Sequence, residues 1–74
     1  MKIISYVIKN NGCFLRFDSQ HCLIDWVKDP HRATKFKSTT IQYHFENLKQ
    51  LGLIVFPEET YQFIPYSEAC HKTQ

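Results

Sequence analysis

The 74-residue sequence predicts an α+β domain of three helices followed by a small antiparallel β-hairpin. The clearest helix lies in residues 38–51, where large apolar residues recur at helical spacing. The hairpin is predicted by two short apolar runs, 53–56 and 60–64, on either side of a Pro-Glu-Glu turn. The composition, 43% hydrophobic and 22% charged, is that of a globular chain, and the length allows one hydrophobic core.

The first eight residues carry apolar side chains at spacings i, i+1, i+4 and i+5, which is one face of a helix. These residues are Ile3, Ile4, Val7 and Ile8. Gly12 can adopt the left-handed conformation that closes a helix. A β-hairpin that turns at Asn11-Gly12 is the alternative, because Ile and Val favour strands. Residues 13–17 alternate in the manner of a short strand.

A second helix is predicted over residues 19–28, with Asp18-Ser19 as its N-cap. Its apolar residues fall at helical spacing, and we expect the Cys22 side chain to be packed. These residues are Cys22, Leu23, Trp26 and Val27. Pro30 disfavours helical backbone at Asp29, so the helix ends there. The stretch 28–37 is predicted to be a loop or a single helical turn, anchored by Phe36.

The third predicted helix, residues 38–51, opens at Ser38 as N-cap and ends at Gly52. Its apolar side is expected in the core. That side comprises Ile41, Phe45, Leu48 and Leu51, with His44 at its flank. Among the other large aromatic residues, Trp26, Phe36 and Phe56 are also expected in the core. The predicted domain covers residues 1–65, with a polar tail over residues 66–74.

The order helix, strand, helix, linker, helix, hairpin resembles the winged helix-turn-helix domains that bind DNA. The run STTIQYHFENLKQLGLIV, residues 38–55, carries the resemblance through its polar start and its Leu-Gly-Leu-Ile exit. The short length is similar to that of small stand-alone regulators of bacterial operons, phages and plasmids. The resemblance implies a DNA-binding transcriptional regulator whose helix 38–51 is the recognition helix, which lies in the major groove.

Positive charge is concentrated just before that helix. Residues 28–37 hold four cations and one acid, whereas the whole chain has a net charge of only +2. Cations oppose the helix dipole at an N-terminus, so their position there suggests that an anion binds. The expected phosphate contacts are Lys28, Arg32, Lys35, Lys37 and Ser38. The base contacts implied by the resemblance are Thr39, Gln42 and Tyr43.

Double-stranded DNA is therefore the expected partner, together with a homodimer partner or another protein. The alternative is a protein-binding winged helix that does not bind DNA, such as a phage-type inhibitor or an assembly adaptor. Glu58 and Glu59 at the predicted wing tip favour this alternative, because wings that contact DNA tend to be basic. Exposed tyrosines could form such a protein-binding surface.

No catalytic function is predicted. The sequence has no Gly-rich phosphate loop, no nucleophile elbow and no carboxylate pair at a meaningful spacing. Its three Cys and four His match no metal-ligand pattern, so no metal or cofactor is expected. A zinc site could be imagined only from Cys13, His21, Cys22, Cys70 and His71. Unpaired Cys spacing indicates a reducing, cytoplasmic setting, and the N-terminal apolar run is too short to span a membrane.

Overall fold

The computed structural model describes residues 4–72 and consists of one antiparallel sheet with a helix on each face. The strands are β1 (Ser5–Asn10), β2 (Cys13–Asp18), β3 (Leu23–Val27), β4 (Phe36–Lys37) and β5 (Gln62–Pro65). The helices are α1 (Ile41–Gln50) and α2 (Tyr66–Lys72), and two 3₁₀ turns cover Pro30–Arg32 and Glu58–Thr60.

β1 is the central strand of the sheet. Along one edge it pairs with β5, from Tyr6↔Pro65 to Lys9↔Gln62. Along its other edge it pairs with β2 only near the turn and with β4 only near its start. Between these two pairings, Thr34 bonds to β2: its N–H donates to the Leu15 carbonyl (3.1 Å) and its hydroxyl accepts from the Phe17 N–H (2.7 Å). The segment 34–37 therefore fills the gap where β1 and β2 diverge.

Each face of the sheet has its own hydrophobic cluster, because side chains alternate along the strands. The α1 face has a buried centre formed by Ile8, Leu15, Phe36, Ile41, Phe45, Leu48 and Tyr61. The α2 face is smaller and is formed by Val7, Phe14, Ala33 and Ala69. Adjacent residues of β1 thus belong to opposite clusters, and a strand buried on both faces explains the continuous apolar run at this position.

The helix predicted from the third segment is present as α1. It starts at Ile41, with Thr40 rather than Ser38 as N-cap. At its end the Gly52 N–H donates to the Lys49 carbonyl (3.0 Å) and the Leu53 N–H to the Leu48 carbonyl (3.0 Å), which is a Schellman motif. The predicted role of Gly52 is confirmed by its φ of +76°. Leu51, expected in the core, is exposed.

The N-terminal helix prediction is wrong, and the hairpin alternative is confirmed. β1 and β2 are joined by a two-residue turn with φ +53° at Asn11 and +80° at Gly12, as a type I′ hairpin turn requires. The strand predicted at 13–17 is confirmed as β2. Ile3, assigned to the predicted helix, lies outside the described residues.

The second predicted helix, 19–28, is also wrong. Asp18 does cap backbone N–H groups, accepting from Gln20 (3.0 Å) and His21 (3.3 Å), but the result is a turn that leads into β3. Cys22, expected to be packed, is exposed and has a positive φ of +52°. β3 forms because all five of its residues pair with β2, a long-range contribution that the helical spacing of the same residues does not reveal.

The winged-helix architecture is contradicted by the C-terminal half. Residues 53–56 form no strand, and β5 pairs with β1 rather than with them, so the predicted wing is absent from the described residues. The predicted loop 28–37 contains the first 3₁₀ turn and β4, with Phe36 buried as expected. The stretch predicted as a tail contains α2, whose Ala69 is buried. Its last residues, 73–74, are outside the described range.

Candidate functional site

Two adjoining pockets lie where the β1–β2 turn meets the segment after α1. One has a volume of about 270 Å³ and the other about 200 Å³. Both are lined by Asn10, Asn11 and Phe56, so they form one open groove. Pro57 and Thr60 complete one end of this groove, and Cys13 and Trp26 complete the other. We call it the Trp26–Phe56 groove.

Two aromatic rings, Trp26 and Phe56, line the apolar side of the groove, and the buried Tyr61 ring packs against both. The Trp26 and Phe56 ring centroids lie 6.2 Å apart, and Tyr61 lies within 6.4 Å of both. Tyr61 is buried and also packs edge-on against Phe45 of α1, at 5.4 Å. The Tyr61 hydroxyl accepts a hydrogen bond from the Phe56 N–H (3.4 Å). The core therefore positions Tyr61, and Tyr61 positions Phe56.

The polar side of the groove is fixed by a pair of short hydrogen bonds. The buried Asn10 side chain donates from Nδ2 to the Thr60 hydroxyl (2.7 Å), and that hydroxyl donates to the Pro57 carbonyl (2.6 Å). These two hydrogen bonds connect the end of β1 to the second 3₁₀ turn, fifty residues later in the sequence. A buried amide that is hydrogen-bonded in this way fixes the spacing between the two segments.

Acidic groups lie next to the Phe56 end of the groove. Glu58 and Glu59 follow Pro57 directly, and both are exposed. Lys49 of α1 bonds to Glu58 (Nζ–Oε2 2.9 Å) and to Glu46 (3.3 Å). The hydrogen bond to Glu58 is the main cause that raises the pKa of Lys49. Lys49 thus compensates part of this acidic charge, while Glu59 extends it toward solvent.

β3 forms the outer edge of the sheet beside the groove. Within residues 4–72 it pairs only with β2. The Trp26 N–H on this strand donates to the Asp25 carboxylate (3.0 Å). Charged side chains that occupy an edge in this way hinder the addition of a further strand. A ligand at this side of the protein would therefore contact the aromatic groove rather than extend the sheet.

The residues predicted to contact bases lie around the start of α1. Thr39 is exposed in the preceding turn, and Gln42 and Tyr43 are exposed on the helix. The Gln42 amide donates to Glu46 Oε2 (3.2 Å), so one of its donors is already used within the helix. Tyr43 is 70% exposed, and its ring contacts only His44 among the aromatic residues described.

The five predicted phosphate contacts do not form a single surface. Lys35 donates to the carbonyls of His31 (3.0 Å) and Ala33 (3.2 Å), and its Nζ lies 4.7 Å from the Tyr66 ring centroid. It therefore lies on the α2 side of the sheet, opposite α1. Arg32 is in the first 3₁₀ turn, which packs near α2, and Lys28 follows β3. Lys37 and Ser38 alone adjoin the start of α1.

Neither a metal site nor a membrane-spanning helix is found within residues 4–72. Within that range, no cluster of three or more His, Cys, Asp or Glu side chains could hold a metal ion. Neither α1 nor α2, the helices of the described region, has the length and apolarity needed to cross a lipid bilayer.

The sequence interpretation missed the groove. Its lining comes from β1, β2, β3 and the segment 56–60, which no sequence spacing connects. The one sequence feature that pointed to the groove is the apolar run LIVF at 53–56, for which the sequence predicts a strand. In the structure Leu53 and Ile54 pack against the core, whereas Val55 is 71% and Phe56 46% exposed. An apolar run that is only half buried is a feature of interaction surfaces.

Comparison of this chain with protein-family models, with curated proteins and with solved structures finds no match.

Proposed function

We propose that this protein is a small interaction domain that binds an extended apolar and basic peptide segment of a partner protein in the Trp26–Phe56 groove. The observation that carries the proposal is the groove itself, with rings of Trp26 and Phe56 at an open cleft on a domain of only 74 residues. Half-exposed aromatic side chains at a pocket are the usual anchors of protein–protein contacts.

The groove supports a peptide because it has two open parts that adjoin each other. These parts have volumes of about 270 and 200 Å³. Each part suits one apolar side chain of a peptide. Burial of one Leu or Phe side chain contributes about 1.5–3 kcal/mol, so two anchors give weak to moderate binding once the cost of ordering the peptide is subtracted.

The charge around the groove supports a basic peptide. Glu58 and Glu59 lie at its Phe56 end, whereas Asp25 forms an ion pair with Arg16 (3.7 Å) on the other face of the sheet. Complementary charge increases the association rate and selects among partners. The groove lining is mostly aromatic, amide and hydroxyl, which is suited to binding a peptide.

Tryptophan fluorescence tests the proposal directly, because Trp26 is the only tryptophan in the chain. We expect a saturable change in Trp26 emission with a seven-residue peptide that has two central leucines flanked by lysines. A matched peptide flanked by glutamates should bind at least several-fold more weakly. The substitution Phe56→Ser should abolish binding, and Tyr43→Ser, at an exposed aromatic residue away from the groove, should leave it unchanged.

Three results would contradict the proposal. Equal affinity for the lysine and glutamate peptides would remove the charge argument. Equal binding by Phe56→Ser and the unmodified protein would remove the groove as the site. Concentration-dependent dimerisation that is lost in Phe56→Ser, without peptide binding, would assign the groove to a second copy of the chain.

DNA binding remains a second proposal, and one feature favours it. Lys37 and Ser38 lie directly before α1, and the N-cap residue Thr40 makes no side-chain capping hydrogen bond, so backbone donors at this helix start remain available to an anion. Binding to mixed duplex DNA should then weaken log-linearly with salt, with a slope of about −0.9 per phosphate contact, and Lys37→Glu should reduce that slope. No binding at low salt would eliminate the proposal.

A further inference from the structure

A cysteine, a histidine and an aspartate lie in line on the α2 side of the sheet. Cys70 Sγ is 3.7 Å from His31 Nε2, and His31 Nδ1 is 3.1 Å from Asp29 Oδ1. Thirty-nine residues separate Cys70 from His31, and the packing of α2 against the first 3₁₀ turn brings them together. A thiol, an imidazole and a carboxylate in this order form the arrangement that activates a nucleophile.

Asp29 holds the imidazole in the orientation that this chemistry needs. Its Oδ1 accepts from the His31 backbone N–H (2.9 Å) as well as from Nδ1. The hydrogen bonds from His31 lower the pKa of the Asp29 carboxyl, so it remains charged at neutral pH. With Nδ1–H bonded to this carboxylate, Nε2 is directed to the Cys70 thiol as an acceptor.

Tyr66, one turn before Cys70 on α2, completes the surroundings of the thiol. Its hydroxyl forms a hydrogen bond with Cys70, and this bond is the main reason that the pKa of Tyr66 is raised. Tyr66 therefore keeps its proton and can donate to a thiolate. Its ring also packs edge-on against His31 at 5.8 Å and has the Lys35 Nζ above it at 4.7 Å.

We propose that Cys70 is a site of thiol–disulfide exchange with anionic low-molecular-weight disulfides of the glutathione type, activated by His31 and Asp29. The Cys70 thiol transfers its proton to His31 Nε2, and the thiolate attacks one sulfur of the disulfide. A new S–S bond forms to Cys70 as the original S–S bond breaks, and the leaving thiolate takes the proton from His31. Cys70 is thereby oxidised to a mixed disulfide, while the other half of the reagent is reduced to a thiol.

The surroundings favour this reaction over acyl transfer. Acyl transfer develops an oxyanion that requires preorganised donors. The Lys35 ammonium, which lies above the Tyr66 ring, already donates to two carbonyls, so it keeps only one further donor. Disulfide exchange needs only a thiolate, a proton donor and access. Lys35, whose Nζ lies 4.7 Å from the Tyr66 ring centroid, supplies positive charge near the thiol for a carboxylate of the reagent.

Cys22 provides an internal control for the experiment. It is exposed, whereas Cys70 is only partly exposed, so reactivity governed by exposure alone would make Cys22 the faster thiol. The protein is incubated with oxidised glutathione at pH 7, quenched with acid, and each cysteine-containing peptide is quantified by mass spectrometry. We expect Cys70 to form its mixed disulfide about tenfold faster than Cys22, because an ordinary thiol is only a few per cent ionised at this pH.

His31→Ala and Asp29→Asn test the assigned roles. His31→Ala should reduce the Cys70 rate to that of Cys22 or below, and Asp29→Asn should have a smaller effect in the same direction. A merely structural role for His31 would give the opposite result, since loosening α2 would expose Cys70 and accelerate its reaction. Circular dichroism of each variant verifies that the fold is retained.

The pH dependence of the rate gives a second readout. In the unmodified protein the Cys70 and Cys22 rates should depend differently on pH, and His31→Ala should make the two dependences alike. The titratable and charged groups on the surrounding elements are Asp29, His31, Arg32, Lys35, Tyr66, Glu68 and His71, with Lys9 on β1 beside Phe14. These groups carry charges of both signs. The experiment therefore varies His31, whose Nε2 lies 3.7 Å from the Cys70 thiol.

The proposal is overturned if Cys22 reacts as fast as Cys70 in the unmodified protein. It is also overturned if His31→Ala leaves both the rate and the pH profile of Cys70 unchanged. Since the Trp26–Phe56 groove lies on the other side of the sheet, peptide binding and thiol reactivity can each fail without the other.

Discussion

The Trp26 and Phe56 rings lie 6.2 Å apart at an angle of 60°, although one belongs to the outer strand β3 and the other to the irregular segment after α1. Tyr61 contacts both rings from below and is itself buried against α1. The arrangement of these two rings, which line the groove, is thus a consequence of core packing. It should be sensitive to changes in the core residue Tyr61 as well as to changes in its exposed lining.

Tyr61→Phe should loosen the segment 55–57 while preserving the core. The substitution removes the hydroxyl that accepts from the Phe56 N–H and leaves the ring contacts with Trp26 and Phe45 in place. We expect a loss of about 0.5–1.5 kcal/mol in the free energy of unfolding, measured by urea denaturation. Tyr43→Phe is the matched control and should be neutral. Equal effects of both substitutions would show that the Tyr61 hydroxyl has no such role.

Gly12→Ala should destabilise the protein through its backbone conformation. Gly12 has φ of +80°, and a Cβ at this position would meet nothing within 4 Å. The cost is therefore the left-handed strain of a non-glycine residue, about 1–2 kcal/mol. The change is measured as a lower urea midpoint. Increased stability on Gly12→Ala would favour a helical N-terminal segment, since Ala is the better helix former.

Phe45→Ala and Leu51→Ala should differ in their effect on stability, because Phe45 is buried and Leu51 is exposed. Phe45 is 4% exposed and packs edge-on against Tyr61 and Phe63. Its truncation should cost about 3–5 kcal/mol, which is most of the stability of a small domain. Leu51 is exposed, so its truncation should stay within about 0.5 kcal/mol. Thermal unfolding of the two variants checks this order, and a larger effect at Leu51 would contradict the packing described.

Acid should weaken the fold through Asp18 and Asp29. The side-chain hydrogen bond from His21 lowers the pKa of Asp18, and hydrogen bonds from His31 lower that of Asp29. A carboxyl whose pKa is lower in the folded state stabilises the protein above the unfolded pKa, about 3.9. This contribution is lost as the pH falls through the folded value.

We expect the melting temperature to fall below about pH 4, and Asp18→Asn to flatten part of this fall. Glu59→Gln, at an exposed carboxylate in the second 3₁₀ turn, serves as the control. Carbon-detected NMR titration of the carboxyl groups measures the two pKa values directly. A titration of Asp18 and Asp29 at their ordinary pH would contradict the prediction.

The sequence allowed α1 to be predicted because the interactions that define this helix are local. The spacing of Ile41, Phe45 and Leu48 and the closing Gly52 lie within a few residues of one another, and the Schellman hydrogen bonds of the helix end are local as well. The structure differs from the prediction in the cap, which is Thr40 rather than Ser38, and in Leu51, which is exposed. The strand at β2 was predicted for a similar reason, since its alternation appears within five residues.

The residues of β1 and β3 are compatible with both helical and strand periods. Ile, Val and Trp occur at positions that form a stripe on a helix and that also alternate between the two faces of a sheet. Val7 and Ile8, adjacent in sequence, are both fully buried, because β1 has a cluster on each face. Pairing with other strands makes these segments strands rather than helices. A short window of sequence does not reveal such pairing.

By itself the sequence predicted the helix of residues 38–51 and the strand of residues 13–17, and it offered the Asn11-Gly12 hairpin turn as the alternative to a first helix. Tertiary structure decided the sheet order, the insertion of 34–37 between β1 and β2, and the role of Lys35, which faces Tyr66 rather than the start of α1. It also decided both candidate sites, since Asn10 meets Thr60 and His31 meets Cys70 across 50 and 39 residues. Local hydrogen bonds and side-chain spacing act within a few residues and are visible in sequence, whereas contacts between distant segments form only when the whole chain packs.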